Sequence, residues 1–75
     1  MMELTGEKEM ERLYQKLLKF SKDGLSVTFS TIAAGLEKLD MISTFIILLF
    51  MAQREMVDLW QEENFGEIII TLKGG

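Results

Sequence analysis

The sequence contains no cysteine, no histidine and no proline among its 75 residues. Without cysteine the chain can form neither a disulfide nor a thiolate metal site. Without histidine it lacks the usual general base near neutral pH, so zinc fingers and catalytic triads that use histidine are excluded. Because no proline interrupts the chain, every helix or strand that the apolar pattern indicates remains possible.

Basic residues are also few, with eight Lys and Arg against twelve Asp and Glu and a net charge of -4. Nucleic-acid-binding domains usually carry a basic surface, since phosphate neutralisation supplies most of their affinity. The charge balance therefore argues against sequence-specific nucleic-acid binding. No apolar run approaches the roughly 20 residues of a membrane span, and the charged first residues lack the apolar core of a signal peptide. We expect a cytoplasmic protein that binds no membrane.

The most apolar stretch runs without interruption from Phe45 to Ala52. A helix turns a stripe of only about 100° or somewhat more toward its own core. Part of this stretch must therefore remain on the surface of so small a domain. Exposed apolar surface of this kind is typical of a site that binds another protein.

Periodicity of apolar residues predicts the order helix, short strand, helix, helix, strand, strand. The three predicted helices are a first helix capped by Thr5 and ending near Phe20, a second at 31–36 capped by Ser30, and a third capped by Asp40 and ending at 53 or 54. The predicted strands are a short one at 25–28 and two longer ones at 56–61 and 67–72. The last two strands form a β-hairpin around the turn at 62–66. This order predicts an α+β winged helix, with three helices and a C-terminal two-stranded hairpin as the wing, in a single domain of residues 1–75.

The third helix carries apolar residues on both sides of a helical wheel. The side predicted to face the core holds Met41, Ile42, Phe45, Leu48, Leu49 and Ala52, and the outward side holds Ser43, Ile47, Phe50 and Met51. Phe45 and Leu49 fit either the core or an interface. A helix that reads DNA would carry Arg, Lys, Asn or Gln on its outward side. An outward side this apolar predicts contact with a protein instead.

The hairpin adds a second candidate surface. Trp60 is either an exposed interface anchor or a cover for part of the first helix. In the last strand, Ile68 and Ile70 are predicted to be core and Ile69 to face outward. The free edges of a two-stranded sheet favour docking by strand addition.

The acidic residues Glu62, Glu63 and Glu67 crowd the hairpin turn. Carboxylate oxygens suit Mg²⁺ or Ca²⁺, but this spacing matches no calcium loop. We therefore interpret them as a solvated acidic turn. No catalytic, cofactor-binding or metal-binding residue is predicted anywhere in the chain.

Residues 43–70 resemble the C-terminal domain of the kleisins, in particular its prokaryotic segregation and condensation branch. The matching residues are Thr44-Phe45 and Leu48-Leu49 in the third helix, Val57 and Leu59 in the following strand, and Gln61 with Phe65-Gly66-Glu67-Ile68 at the turn. Val27-Thr28-Phe29-Ser30 is similar to the residues that lead into the family's second helix. Phe50 departs from the pattern, because the family often has Glu at that position.

The resemblance implies a winged-helix adaptor with no enzymatic activity that docks on the ATPase head of an SMC (structural maintenance of chromosomes) protein. Docking would help close the SMC–kleisin ring in chromosome segregation and condensation, at the nucleoid. Residues 1–75 would then be the C-terminal fragment of a longer kleisin, which also binds a second, ScpB-like accessory protein. The domain would need no cofactor, since ATP and Mg²⁺ would belong to the SMC partner.

The residues predicted to contact the partner are Phe45, Ile47, Leu49 and Phe50 of the third helix and Trp60 and Ile69 of the hairpin. Two alternatives remain open. The domain could be a DNA-binding winged-helix transcription regulator, which needs a basic recognition face. It could also be a homodimeric winged-helix scaffold that buries the third helix against a second copy.

Overall fold

The computed structural model describes residues 6–21, 23–63 and 66–73. The elements in chain order are α1 (Glu7–Phe20), β1 (Ser26–Thr28), α2 (Phe29–Ala33), α3 (Lys38–Gln53), β2 (Val57–Gln61) and β3 (Ile68–Leu72). This order confirms the predicted α+β winged helix. The predicted cap at Thr5 and the matching residue Phe65 lie outside the described residues.

α1 is an amphipathic helix whose buried side is set by helical spacing. Met10, Leu13 and Leu17 recur at intervals of three and four and are buried. Glu7 and Glu9 lie in its first turn, where negative charge interacts favourably with the helix dipole. α1 thus covers one side of the core.

α2 is shorter than predicted and begins earlier. It starts at Phe29 and ends at Ala33, so Ser30 lies inside its first turn and is not the N-cap residue. Gly35 follows with a φ of 83°, a left-handed conformation that glycine adopts without steric cost. That conformation turns the chain away from the helical path before Leu36.

α3 begins at Lys38, so Asp40 lies in its first turn and not at the predicted cap position. Its C-terminal end has the hydrogen bonds of a Schellman motif. The N–H of Met56 donates to the carbonyl of Met51 at 2.9 Å, and the N–H of Glu55 donates to the carbonyl of Ala52 at 3.0 Å. Glu55 adopts a φ of 63° at the position where this motif usually has glycine.

The sheet has three antiparallel strands in the order β1-β3-β2. The structure therefore confirms the strand predicted at 25–28, as Ser26–Thr28, but makes the sheet larger than the predicted two-stranded hairpin. Ile70 lies opposite Val27 on one side and Leu59 on the other. Because β3 is paired along both edges, the expectation that this last strand offers a free edge is wrong.

The core lies between the helices and the inner face of the sheet. Its buried apolar residues are Met10, Leu13, Leu17, Val27, Ile32, Leu48, Met51, Val57, Ile70 and Leu72. Within the described part of the chain, no polar or charged residue is buried. The core is therefore held by apolar packing, with the polar contacts left at the surface.

Candidate functional site

The outward side of α3 carries four exposed apolar residues. Leu39, Ile42, Leu49 and Phe50 are exposed by 76, 48, 47 and 43% respectively. We call these four residues the α3 outer face. The spacing of three, seven and one residues places them on one side of a helix, and no charged residue lies between Met41 and Gln53.

The opposite side of α3 faces the core, and several predictions about it are wrong. Met51, predicted to face outward, is fully buried together with Leu48. Ile47, also predicted to face outward, is partly buried and packs against the core. Ile42, predicted to face the core, is instead exposed, and Leu49, for which core and interface were both open, is exposed as well. Contact with α1 and β2 selects the buried side, because the apolar sequence gives little contrast between the two.

Phe45 lies at the border between these two sides and is half-buried. Its ring meets that of Phe29 edge to face, with centroids 5.8 Å apart and planes at 83°, a favourable geometry for two aromatic rings. The pair joins α3 to the start of α2. Phe45 therefore contributes to packing within the free domain. Its contact with a partner stays a prediction.

The outer face of the sheet carries the second surface. Trp60 is 57% exposed, so the indole faces solvent in the free domain and its role as an interface anchor stays a prediction. It lies opposite Ile69, which in turn lies opposite Thr28 on β1. We call these three residues the sheet row. Side chains directly opposite in antiparallel strands are close neighbours, so the row crosses the whole sheet.

The three acidic residues of the hairpin turn have different surroundings. The carboxylate of Glu67 accepts hydrogen bonds from the N–H and hydroxyl of Ser30, and these bonds lower the pKa of Glu67. Glu62 and Glu63 instead line an open recess beside Trp60. Among residues 6–21, 23–63 and 66–73, no group of three acidic side chains could hold a metal ion.

Two exposed apolar residues were missed as candidates from the sequence. Leu39 precedes the predicted cap of the third helix and Ile42 is predicted to face the core, yet both belong to the α3 outer face. Their spacing to Leu49 and Phe50 could have identified them, because positions 39, 42, 46, 49 and 53 lie along one helical stripe. No helix in the described ranges is long and apolar enough to cross a membrane.

In class, then, the protein is a winged-helix domain whose third helix presents an uncharged apolar face to solvent. No model of a protein family matches the sequence, and no curated protein matches it. A solved structure does match, the "Crystal structure of the SmcHead bound to the C-winged helix domain of ScpA". The match has 34% sequence identity and a TM-score of 0.75, and covers 88% of this chain and 96% of the other. The chain belongs to the kleisin family, as a C-terminal winged-helix domain of the ScpA type.

Proposed function

We propose that this domain is an adaptor without catalytic activity that docks on the ATPase head of an SMC protein. The observation that carries the proposal is the likeness to the ScpA winged-helix domain, which is bound to an SmcHead in its crystal structure. The likeness extends over nearly the whole of both chains. The head is therefore the partner to test first.

The α3 outer face is the surface that we assign to docking. Its four side chains are large, apolar and at least 43% exposed. A monomeric domain gains nothing from such exposure, whereas burial of apolar area against a partner contributes about 25 cal/mol per Å². Leu49 and Phe50 are adjacent large apolar residues in the C-terminal half of α3, and they are the residues most suited to act as anchors.

The same face argues against the DNA-binding alternative. Phosphate contacts need Lys or Arg, and α3 has Lys38 as its one basic residue. Gln53 is the last residue of the helix. A helix that reads DNA bases carries several polar side chains, whereas α3 has this one amide at its end. A homodimer through α3 would also bury this face, and the experiment below separates that case.

The wider biological role follows from the family and forms part of the same proposal. Docking of this domain would help to close the SMC–kleisin ring in chromosome segregation and condensation, at the nucleoid in the cytoplasm. A longer kleisin chain would also bind a second, ScpB-like accessory protein. ATP and Mg²⁺ would be bound by the SMC head, and this domain would contribute neither a nucleotide site nor a metal site.

The test is calorimetric titration of the domain into the purified SMC ATPase head from the same genome. We expect saturable binding with one domain per head. Absence of binding, with both proteins folded, would overturn the proposal. Light scattering of the free domain at several concentrations would show whether a second copy, and not the head, covers α3.

A Phe50→Lys variant tests the α3 outer face itself. We expect it to weaken binding by about tenfold or more while the unfolding midpoint changes little, because Phe50 is already 43% exposed. Gln15→Lys is the matched control, since it adds the same charge to an exposed position of α1. Undiminished binding by folded Phe50→Lys would remove α3 from the interface and leave the docking itself intact.

A further inference from the structure

β2 forms one edge of the sheet, because the strand order is β1-β3-β2. The residues next to its two ends bond toward β3. The N–H of Lys73 donates to the carbonyl of Met56 at 3.0 Å, and the N–H of Glu62 donates to the carbonyl of Glu67 at 3.3 Å. Alternate residues of an antiparallel strand direct their backbone groups to opposite sides. The even-numbered positions of β2 therefore bond to β3.

The odd-numbered residues of β2, Val57, Leu59 and Gln61, direct their N–H and C=O groups away from β3. In the described ranges, no backbone group from a loop or turn bonds to any of these three residues. A row of unpaired groups along a strand is a template for the addition of a further strand. At five residues, β2 matches β3 in length and exceeds β1, which has three.

The side chains beside this edge are aromatic and acidic. Asp58 and Trp60 are exposed on the outer face of β2, and Glu62 and Glu63 line the recess beside the indole. Asp58 has a cationic neighbour, Lys73, at 3.9 Å. In the part of the chain that the structure describes, no ion pair involves Glu62 or Glu63.

We infer that the edge of β2 accepts an extended basic segment of the SMC head as an added strand. Its backbone would pair with the N–H and C=O groups of Val57, Leu59 and Gln61. A Lys or Arg of the segment would lie over the indole of Trp60, where a cation is attracted to the ring face, and close to Glu62. This inference rests on the docking proposal and adds to it a second contact, apart from the α3 outer face.

The charges decide which occupant fits. A second copy pairing along β2 would bring Asp58 and Glu62 close to the same acidic residues, and like charges on neighbouring strands are destabilising. Nucleic acid is disfavoured by the same carboxylates. A basic protein strand satisfies the backbone groups and the charges together, and it complements the net charge of -4 of the domain.

Amide hydrogen exchange, read residue by residue by NMR, tests the inference with no substitution at all. In the free domain we expect slow exchange at Asp58 and Trp60, whose amides face β3, and fast exchange at Leu59 and Gln61. In the complex with the SMC head, the amides of Leu59 and Gln61 should become at least about tenfold slower, as hydrogen-bonded amides do.

The outcomes separate this inference from the docking proposal. Binding of the head with protection along α3 but unchanged fast exchange at Leu59 and Gln61 overturns the added strand and leaves docking standing. Failure of the head to bind overturns both. Protection that appears in the free domain at high concentration would instead assign the edge to a second copy.

Charge reversal provides a second, independent test. We expect the double variant Glu62→Lys and Glu63→Lys to weaken head binding by about tenfold at low salt, with a smaller effect at high salt because ions screen exposed charges. The matched control reverses Glu11 and Glu55, which are exposed and change the net charge by the same amount. If the two variants weakened binding equally, the charges would act only through long-range attraction. That result would overturn the local contact between Glu62 and a basic residue of the head.

Discussion

Ser30 donates two hydrogen bonds to the carboxylate of Glu67, from its N–H to Oε2 at 3.1 Å and from its hydroxyl to Oε1 at 2.6 Å. The two residues are 37 positions apart in the chain. The contact joins the first turn of α2 to the residue that precedes β3. It therefore connects α2 to the start of the central strand of the sheet.

Replacing Glu67 with Gln should destabilise the domain at neutral pH. The amide keeps the size of the carboxylate but loses its charge, and hydrogen bonds to an ionised acceptor are the stronger ones. Urea unfolding followed by circular dichroism would measure the change. Glu63→Gln, at an exposed position of the same turn, is the control and should unfold like the original protein.

Stability should depend on pH through the same carboxylate. The hydrogen bonds from Ser30 lower the pKa of Glu67 in the folded state, so its contribution is fully present above the unfolded-state pKa. That contribution is lost as the pH falls through the lowered folded-state pKa. Asp23 also has a pKa lowered by the N–H groups of Leu25 and Ser26. The original protein therefore loses two contributions on acidification, whereas Glu67→Gln loses only that of Asp23. The difference between the urea midpoints of the original protein and Glu67→Gln should shrink at acidic pH, and a constant difference would contradict the assignment.

Two adjacent leucines of α3 should respond differently to truncation. Leu48 is fully buried and Leu49 is 47% exposed. Leu48→Ala should cost about 2–5 kcal/mol of unfolding free energy, because it leaves a cavity in the core. Leu49→Ala should cost about 1 kcal/mol or less, since much of the side chain is already in water. Chemical denaturation measures both, and similar costs would mean that the assigned faces of α3 are wrong.

Glu55→Gly should stabilise the domain. Glu55 holds a φ of 63° after α3, and a residue with a Cβ pays about 1–2 kcal/mol for the left-handed conformation. Part of that gain is offset because glycine is more flexible in the unfolded chain. We expect a net gain of about 0.5–1 kcal/mol in unfolding free energy, measured by urea titration. Glu55→Ala removes the same carboxylate but keeps the Cβ, so it should gain nothing.

Trp60 is the single tryptophan of the chain, so its fluorescence reports on the outer face of the sheet alone. Because the indole is 57% exposed, acrylamide should quench its emission readily in the free domain. Addition of the SMC head should shift the emission to shorter wavelength and reduce the quenching. Unchanged emission in a saturated complex would place Trp60 outside the interface.

The order of elements could be predicted from the sequence because most of them have distinct patterns. α1 shows clear alternation between apolar and charged sides, and β2 and β3 are short β-prone runs separated by an acidic turn. The third strand of the sheet was harder to predict. β1 has three residues, and its pairing with β3 depends on a contact between distant parts of the chain that local propensity does not encode.

The buried side of α3 could not be derived from periodicity. Periodicity needs contrast, and from Phe45 to Ala52 every residue is apolar. The choice between Met51 and Leu49 as core residue is made by the packing of α1 and β2. The position of Ser30 depended in the same way on Glu67, because a serine before a helix and a serine in its first turn have the same local sequence.

The strand that completes the sheet is also the last one in chain order, since β3 lies between β1 and β2. A ribosome makes β1 and β2 first, and neither strand has a partner until the residues of β3 emerge. The nascent chain must therefore carry the apolar residues Val27, Val57 and Leu59 without a finished sheet to cover them. Assembly of the sheet during synthesis must accordingly wait for its last strand, and a protease cut between Gln61 and Gly66 before that point would separate β1 and β2 from the strand that joins them.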